Sequence, residues 1–436
     1  MSEKSEQERE IEINVPVLAR VEGEGALDLF VRNGQIEKLN LRIFEPPRLF
    51  EKFLEGRSYQ EVPDMVARIC GICPVAYQMS AVHAIENAFG IEITPWVRAM
   101  RRLIYCGEWL ESHSLHIHLL AAPDFLGYTN VAEMAKDHPE VVQRGLMLQR
   151  IGNDLIRLLG GRSVHPVGVK VGGFYHAPTK AEMSEMQQRL EQALLEAEQL
   201  VHWTASLDLP DAQDAFECVA LSHKEEYGMN EGRLLSTQAL DITVEEFEQY
   251  FAEHQVPYST ALHCLHQGQP YMVGPLARLN LNASTLPDKV QQLIHQTNIH
   301  FPSFNSFHSI IARAIEIYYA LHEAATILKD YQVPEASAAS FKPKAGVGYA
   351  CTEAPRGILW HRYEMDAQGR VVSAKIVPPT SQNQARIEAD IKTSLSASLL
   401  ERTDDDIRLH CEKIIRNYDP CISCATHFLD LRLHRN

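Results

Sequence analysis

Most of the chain carries apolar residues at helical rather than strand spacing. Leu, Ile, Met and Val recur at this spacing over 95–121 and over 140–160, which predicts two long amphipathic helices. Pro74 suits the first turn of another helix, over 75–89. The same pattern predicts further helices over 178–207, 303–330, 382–400 and 404–416. Together these segments predict a mainly helical core.

Strand-like alternation of apolar and polar residues is confined to short segments. Residues 11–45 alternate on both sides of Asn33-Gly34, which is a strong signal for a β-hairpin. Residues 358–377 predict a second hairpin, and residues 212–282 mix short strands with loops. No internal repeat, linker or low-complexity run divides the chain. The pattern therefore predicts one α+β domain that is mainly α.

Two Cys-x-x-Cys pairs stand near opposite ends of the chain. Cys70 and Cys73 form the first pair, and Cys421 and Cys424 form the second. Four thiolates from two such pairs can close a tetrahedral site for a soft or borderline metal ion. Structural zinc ribbons place their pairs roughly 15–20 residues apart. A zinc clip across this much longer separation would be unusual, but it stays an open alternative. A thioredoxin-type redox pair would accompany a βαβ unit, and neither pair has that setting.

The residues around both pairs are more specific than the pairs themselves. The first pair lies in Arg68-Ile69-Cys70-Gly71-Ile72-Cys73-Pro74, and the second in Asp419-Pro420-Cys421-Ile422-Ser423-Cys424-Ala425-Thr426-His427. Together they resemble the paired signature of the large, catalytic subunit of NiFe hydrogenases. Further segments that resemble this family, in its order along the chain, are Arg20–Gly23, Arg48–Glu51, Ser112-His113, Pro123-Asp124, Gly161-Arg162, His165-Pro166, Gly172-Gly173, Glu353–Gly357 and Pro378–Thr380. The resemblance spans essentially the whole chain. It implies the family's fold, a long helical bundle core with small peripheral β-sheets.

The resemblance implies a nickel ion held by Cys70, Cys73, Cys421 and Cys424. Cys73 and Cys424 would also bridge to an iron that carries cyanide and carbon monoxide ligands. The implied reaction is the reversible conversion of H2 into two protons and two electrons. Soft thiolates bind nickel strongly, and a terminal thiolate can accept a proton when H2 is split.

Arg356 is the residue that the resemblance places over the open face of the two metals. A fixed cation there can polarise H2, and its fork can engage nearby carboxylates, which would be Asp124 and Asp419. The alternative is an ordinary arginine in a turn, because Pro355 and Gly357 are turn residues.

Two further residues have implied catalytic roles. Glu22 resembles the glutamate that passes protons from a terminal cysteine, here Cys421, toward solvent, and burial would let it hold a proton near neutral pH. The alternative for Glu22 is a surface carboxylate at the end of a strand. Thr380 resembles the residue whose hydroxyl donates to an iron-bound cyanide. The residues after Thr380 depart from the family pattern, which weakens that assignment.

A second metal is implied by Glu51 and His427. Glu51 resembles the carboxylate ligand of a Mg2+ ion that the C-terminal histidine of the motif shares. Mg2+ usually keeps several waters and takes one or two carboxylates, so few protein ligands are expected. The alternative for Glu51 is an exposed helix residue. Tyr77 is a departure, because many family members carry a histidine there, within reach of a bridging sulfur.

Other histidines and cysteines have simpler interpretations. His113, His116 and His118 share one helical stretch, where packing and hydrogen bonding are favoured over a metal pair. The remaining cysteines, which have no paired spacing, are predicted to be small core residues. They are Cys106, Cys218, Cys264, Cys351 and Cys411.

Composition excludes several classes of partner. The chain has 436 residues, and Lys+Arg 41 against Asp+Glu 57 gives a formal net charge of −16. That charge argues against nucleic acid or an anionic membrane as a general partner. No stretch approaches the roughly 20 apolar residues of a membrane span. The first ten residues contain no apolar signal core, and the cysteine usage fits a reducing compartment, so a cytoplasmic location is expected.

The resemblance also implies partner subunits. Electrons would leave through iron–sulfur clusters, and this chain has no spare cysteine constellation to hold them. A small iron–sulfur subunit is therefore implied. The motifs most resemble cytoplasmic, bidirectional enzymes linked to NAD(P), whose flavin and nucleotide sites lie on other subunits. No G-x-G-x-x-G fingerprint occurs here, in agreement with that division. A deazaflavin-reducing or hydrogen-sensing member is the alternative within the family.

Two interpretations outside the hydrogenases compete. The quinone-site subunit of respiratory complex I resembles hydrogenase large subunits but lacks the metal cysteines, and all four are present here. A structural zinc scaffold would use the same four thiols. It would need neither Arg356 nor a C-terminal extension that is removed on maturation.

The residues after His427 are expected to form such an extension. In the family, a dedicated protease removes a short C-terminal extension after nickel insertion. The expectation is a catalytic domain over 1–427 and an extension over 428–436 that is removed on maturation.

Overall fold

Long helices build the core of the molecule. The computed structural model describes residues 10–427. The predicted extension 428–436 therefore lies outside the described residues. The helices are α1 (Phe50–Leu54), α2 (Val62–Val66), α3 (Pro74–Phe89), α4 (Pro95–Leu115), α5 (Ala122–Leu126), α6 (Val131–Asp137), α7 (Pro139–Gly160), α8 (Lys180–Ala205), α9 (Phe247–Tyr250), α10 (Pro275–Asn282), α11 (Asp288–Gln296), α12 (Ser309–Lys329), α13 (Pro379–Ser394), α14 (Ala397–Leu400), α15 (Asp404–Asn417) and α16 (Ile422–Ala425).

The central bundle consists of α4, α7, α8 and α12. Helix α4 packs against α7 and α12, and α12 packs against α8. Thr94 starts α4, because its side chain accepts a hydrogen bond from the Val97 N–H at 3.2 Å. Gly107 of α4 and Gly152 of α7 let the two backbones approach, since a Cβ on Gly152 would lie 2.5 Å from the Gly107 carbonyl oxygen. The apolar faces predicted for α4 and α7 are thus buried against each other.

Small sheets surround this bundle. Among the described residues the pairing orders are β1-β2-β3, β4-β5, β11-β6-β7-β8, β10-β9 and β12-β13-β14. The strands are β1 (Glu10–Val15), β2 (Gly25–Arg32), β3 (Gln35–Ile43), β4 (Val169–Lys170), β5 (Gly173–Phe174), β6 (Glu217–Ser222), β7 (Arg233–Ser236), β8 (Asp241–Ile242), β9 (Phe251–Gln255), β10 (Leu262–His266), β11 (Tyr271–Met272), β12 (Gly346–Ala354), β13 (Gly357–Met365) and β14 (Val371–Val377). The predicted fold, a mainly helical α+β domain with peripheral sheets, is confirmed.

Both predicted hairpins form. Asn33-Gly34 connects β2 to β3 with Arg32 opposite Gln35, and both turn residues have positive φ angles. The second hairpin joins β13 to β14. Strand β12 pairs with β13 as well, and this strand was not predicted because its glycines disfavour strand formation.

Glycine in β12 also explains how this sheet meets the bundle. A Cβ on Gly348 would lie 1.9 Å from the Ala84 carbonyl oxygen of α3. The sheet therefore packs directly on α3, whose N-terminus carries Cys73. The tight connection between β12 and β13 contains Pro355 and Arg356. One sheet thus places Arg356 near the first cysteine pair.

The two ends of the described chain meet at the same point. Glu22 pairs with Cys421 as an isolated β-bridge. The Arg48 N–H donates to the Thr426 carbonyl at 2.7 Å, and the Phe50 N–H donates to the His427 carbonyl at 2.7 Å. Within residues 10–427, no helix combines the length and apolarity that a membrane crossing requires.

Candidate metal centre

The four motif cysteines form one buried cluster. Each offers a sulfur atom, and the four sulfurs lie within 4.8 Å of one another. The Sγ–Sγ distance is 3.4 Å between Cys70 and Cys421, 3.5 Å between Cys73 and Cys424, and 2.8 Å between Cys421 and Cys424. Each residue is at most 2% exposed. The predicted convergence of the two pairs is present in the fold.

Backbone and side-chain contacts fix the loops that carry these cysteines. The Cys73 N–H donates to the Cys70 sulfur at 3.2 Å. Arg48 spans both loops, because one nitrogen of its guanidinium donates to the carbonyl of Ile69, at 2.7 Å, and to that of Ser423. A single side chain thus joins the loop before Cys70 to the turn that contains Cys424.

The four thiols of the cluster differ in acidity. Burial opposes ionisation, but hydrogen bonds from the other three cysteines and the nearby Arg356 cation lower the pKa of Cys70 well below its usual value. Burial raises the pKa of Cys421 well above its usual value. Four convergent sulfurs beside a fixed cation are a donor set that fits a soft or borderline metal ion, and nickel is such an ion.

Arg356 lies beside this cluster, close enough to interact electrostatically with its sulfurs. It is 2% exposed, and its Nε donates to the Asp419 carbonyl at 2.5 Å while its Nη2 donates to the Asp419 carboxylate at 3.2 Å. Although burial alone lowers it, the pKa of Arg356 is raised well above its usual value by Asp419, Cys421 and Cys73. Within the described residues its Nη1 and the Asp419 Oδ2 have no hydrogen-bond partner. Both atoms are therefore available to a group bound at the cluster.

Glycines make the position of Arg356 possible. Gly357 follows it with φ +133°, and a Cβ there would lie 2.5 Å from the Val273 side chain. Gly274 has φ +118°, and a Cβ there would lie 2.9 Å from the Arg356 carbonyl oxygen. The loop thus has little room in which to adopt another path.

Asp124 has different partners from those predicted. Its carboxylate accepts from Arg416 at 2.6 and 2.9 Å, and from Arg20 at 2.5 Å, whereas Arg356 bonds only Asp419 among the described residues. The pairing of Arg356 with Asp124 was therefore wrong. Asp124 lies in α5, just after a π-helix over His116–Ala121, where it meets Arg416 of α15. Its contact with the centre is indirect, since the Asp419 N–H donates to the Arg416 carbonyl at 3.0 Å.

Glu22 contacts the second cysteine loop directly. Its Oε2 accepts from the Ser423 N–H at 3.0 Å, and its Oε1 accepts from the Ser423 hydroxyl. Its own carbonyl accepts from the Ile422 N–H at 3.0 Å. Glu22 is therefore bound between the two cysteines of the second pair, in place of the exposed position of the alternative interpretation.

Thr380 lies in the first turn of α13 and touches the same loop. Its hydroxyl oxygen accepts from the Cys421 N–H at 3.1 Å. Within the described residues the hydroxyl hydrogen of Thr380 has no acceptor, so it can donate to a group at the cluster. Thr380 is 2% exposed.

Glu51 and His427 form a second candidate site. The His427 Nε2 lies 3.7 Å from the Glu51 carboxylate and 2.7 Å from the Ile376 carbonyl oxygen. The other ring nitrogen, Nδ1, lies 2.6 Å from the Cys424 carbonyl oxygen. Because Nδ1–H donates to that carbonyl in the neutral ring, Nε2 would direct a lone pair toward two further acceptors. A proton or a metal ion beside Nε2 would separate its lone pair from these two acceptor oxygens.

Tyr77 and His361 are buried beside the cluster. Their rings lie 5.8 Å apart, and neither the Tyr77 hydroxyl nor the His361 Nε2 has a partner within the described residues. Burial and the charges of Cys424 and Cys73 raise the pKa of Tyr77 well above its usual value. Tyr77 is therefore a neutral phenol beside the sulfurs.

The three histidines that share one helical stretch make hydrogen bonds in the core, as expected. His113 bonds Glu316 at 2.9 Å, His116 donates to the Arg416 carbonyl at 2.7 Å, and His118 donates to the Ser114 carbonyl at 2.9 Å. The five cysteines outside the motifs are buried and unpaired by disulfides. Among the described residues the four motif cysteines are the one group of three or more His, Cys, Asp or Glu side chains whose ligand atoms lie close enough to hold one metal ion.

Sequence reasoning missed two carboxylates of α4. Glu108 is fully buried and accepts from the Val75 N–H at 2.6 Å and the Ala76 N–H at 3.0 Å, which caps the helix that follows Cys73. Burial raises the pKa of Glu111 to about 8, and the neighbouring charges include Arg356 and Cys70. The signal that could have revealed both carboxylates is the presence of acidic residues on the buried side of the otherwise apolar α4.

The comparisons with known proteins agree with this site. A model of the family described as nickel-dependent hydrogenase matches residues 48–144 and 236–427, which include all four cluster cysteines. The alpha subunit of sulfhydrogenase 2 from Pyrococcus furiosus is 31% identical over 96% of this chain and 100% of its own length. The beta subunit of the NAD-reducing hydrogenase HoxS from Cupriavidus necator is 26% identical over 94% of each chain.

A solved structure shows the same fold. A chain of an NAD+-reducing [NiFe]-hydrogenase in the H2-reduced state superimposes with a TM-score of 0.86 at 24% identity, covering 96% of this chain and 99% of that chain. The agreement extends over the helical bundle and the peripheral sheets alike.

The contacts of Glu108 generate a prediction about assembly of the centre. Glu108→Ala leaves two buried N–H groups unpaired beside Cys73, each at a cost of about 1–3 kcal/mol. We expect a lower melting temperature and a lower nickel content in the purified protein. Glu108→Gln is the matched control, because an amide oxygen can still accept both hydrogen bonds, and it should lose much less of either. Equal nickel content in the alanine variant and the wild type would contradict the assigned role.

Proposed function

The chain belongs to the nickel-dependent hydrogenase family, and we propose from that premise that it is the H2-activating subunit of a complex that passes electrons through an iron–sulfur subunit to NAD(P). The single observation that carries the catalytic part is the buried cluster of four sulfurs beside Arg356. The identity of the electron acceptor, NAD(P), is a separate part of the proposal.

We propose that Cys70, Cys73, Cys421 and Cys424 hold nickel, with Cys73 and Cys424 also holding an iron that carries cyanide and carbon monoxide. When bound, this pair of metals supplies the reversible cleavage of H2 into protons and electrons. The convergent sulfurs support this assignment. The free hydroxyl hydrogen of Thr380 suits donation to a cyanide ligand.

Arg356 provides the fixed charge of the site. Its guanidinium is oriented by the backbone and carboxylate of Asp419, and one of its nitrogens has no partner within the described residues. A preorganised cation in a buried site stabilises developing negative charge without reorganisation. We propose that Arg356 faces H2 at the cluster and that Asp419 holds it there. Asp124 supports this pair from behind, through Arg416.

Protons are proposed to leave by way of Glu22. Cys421 is the cluster residue that pairs with Glu22 along the backbone. The Ser423 hydroxyl donates to the Glu22 carboxylate, which places a second oxygen beside that sulfur's loop. A carboxylate in this position can receive a proton from the thiol side and release it outward.

A second metal ion, Mg2+, is proposed beside His427. The Glu51 carboxylate and the Ile376 carbonyl oxygen lie 3.7 and 2.7 Å from the His427 Nε2, so oxygen and nitrogen donors are neighbours here. Waters would complete the coordination of Mg2+. This ion would fasten the end of the described chain to α1 and β14.

We propose partner subunits for electron transfer. Apart from the cluster, the described cysteines are separate and buried, so an iron–sulfur small subunit is proposed to take the electrons. Flavin and NAD(P) would bind on further subunits. The NAD-reducing relative supports this acceptor. The higher identity to a sulfhydrogenase subunit favours another acceptor as the second candidate.

Maturation is proposed to end the chain at His427. His427 is fully buried and its carbonyl accepts from the Phe50 N–H at 2.7 Å. Cleavage directly after His427 would make this buried residue the new C-terminus. Intact mass of the large subunit from active complex should correspond to a chain that stops at His427. Active complex whose large subunit retains residues 428–436 would contradict this proposal.

The catalytic role of the cluster predicts the effect of single thiol substitutions. Cys424→Ser should lose nickel and reduce the exchange of H2 with D+ in the purified complex to background, because a neutral hydroxyl is a poor ligand for soft metals. Cys106→Ser is the matched control, since Cys106 is equally buried but lies in α4 outside the cluster. It should keep its nickel and its exchange activity. Persistent exchange in the Cys424 variant would contradict the proposal.

The proposed acceptor predicts a reaction of the whole complex. Complex purified with all its subunits should reduce NAD+ or NADP+ with H2, which the absorbance of the reduced nucleotide reports. A viologen dye is the control acceptor, because it takes electrons from any working hydrogenase. Reduction of the dye without reduction of either nucleotide would reject the NAD(P) acceptor and leave H2 activation intact.

A further inference from the structure

We propose that Arg278 is the positioning residue for Arg356, and this inference depends on the function proposed for Arg356. Arg278 belongs to α10, far from both cysteine motifs in the sequence, and it is fully buried. A buried guanidinium is retained only where its donors are satisfied. The contacts of Arg278 therefore show what it holds.

All five N–H donors of Arg278 have acceptors. Its Nε and Nη2 donate to the Glu316 carboxylate, both at 2.7 Å. Its Nη1 donates to the Glu353 carboxylate at 2.9 Å. The two remaining bonds go to backbone carbonyls, of Ala354 at 2.9 Å and of Pro355 at 3.1 Å. The guanidinium thus bonds three consecutive residues that immediately precede Arg356.

Contacts with other helices hold Arg278 and its carboxylate partners in place. Glu316 of α12 also accepts from the Tyr227 hydroxyl at 2.8 Å and contacts His113 at 2.9 Å. Arg278 stacks over the Trp109 ring, with its guanidinium carbon 4.5 Å from the ring centroid. The Trp109 Nε1 donates to the Glu353 carbonyl at 2.9 Å. The hairpin tip is thereby fastened to α4, α10 and α12.

The charges and the acceptors around residue 278 explain why it is an arginine and not a lysine. Glu316 and Glu353 are both fully buried carboxylates, and Arg278 is their common cation. The Arg278 cation and its hydrogen bonds lower the pKa of Glu316 to about 2, against the effect of burial. A lysine keeps the charge but presents three donors at one point, so it cannot serve two carboxylates and two carbonyls together.

The consequence for the site is geometric. On one side of the hairpin tip, Arg278 donates to the carbonyls of Ala354 and Pro355. On the other side, the close contacts at Gly274 and Gly357 leave no space for a different backbone path. Arg356 therefore leaves the hairpin in one direction, toward Asp419 and the sulfurs. Arg278 touches no cluster residue through a hydrogen bond within the described chain, so it acts through Arg356.

The test compares Arg278→Lys with Arg101→Lys in the purified complex. Arg101 is a matched control, because it is 1% exposed and bonds the Glu86 carboxylate at 2.7 and 2.6 Å, away from the hairpin. For Arg278→Lys we expect wild-type nickel content and infrared bands of the diatomic ligands, with H2/D+ exchange about 100-fold slower and an unchanged KM for H2. Deuterium uptake by the peptide that contains Arg356 should rise. Arg101→Lys should alter neither exchange nor that uptake.

A double variant separates positioning from general damage. If Arg278 acts through Arg356, adding Arg278→Lys to Arg356→Lys should slow exchange no further than Arg356→Lys alone. Multiplicative losses, or wild-type exchange in Arg278→Lys, would overturn the inference. If Arg278→Lys does not assemble, Glu316→Gln serves, since it keeps the side-chain shape and should raise deuterium uptake and slow exchange in the same sense. Absence of H2/D+ exchange in the wild-type complex would instead reject the proposed function.

Discussion

The structure depends on the joining of its two cysteine loops at a buried point. One loop follows α2 and the other opens α16, and nearly the whole chain separates them. Arg48 bonds the carbonyls of Ile69 and Ser423, one in each loop. Glu22 and Phe50 bond the second loop through its backbone. Because these contacts join the ends of the chain, the bundle between them must close before four sulfurs can meet.

Buried charge is the second organising feature. Arg278, Arg356 and Arg416 are each almost fully buried, and each is matched by carboxylates. Removing one partner of a buried ion pair typically costs about 3–5 kcal/mol, so these pairs enforce one arrangement of the elements that carry them. Each pair also lies behind or beside the sulfur cluster. The charge network thus fixes the elements that surround the site.

The sequence was informative where local pattern decides structure. The periodicity of α4 and α7 and the Asn33-Gly34 turn depend on neighbouring residues, and the helices and the hairpin were predicted correctly. Asp124 was misassigned because its partners, Arg20 and Arg416, are remote from it in the sequence and meet it only in the fold. Arg278, Glu108 and Arg48 were missed because their contacts join segments remote in sequence. Their chemistry became evident only when the acceptors were located in the fold.

The central claim is that the four sulfurs hold a nickel–iron site. The most direct measurement is elemental analysis of the purified complex together with its infrared spectrum between the amide and C–H stretching regions. The account predicts one nickel per large subunit, iron beyond that of the partner's clusters, and bands from cyanide and carbon monoxide. Zinc at the same stoichiometry without those bands would contradict it, and the four cysteines would then be a structural S4 scaffold.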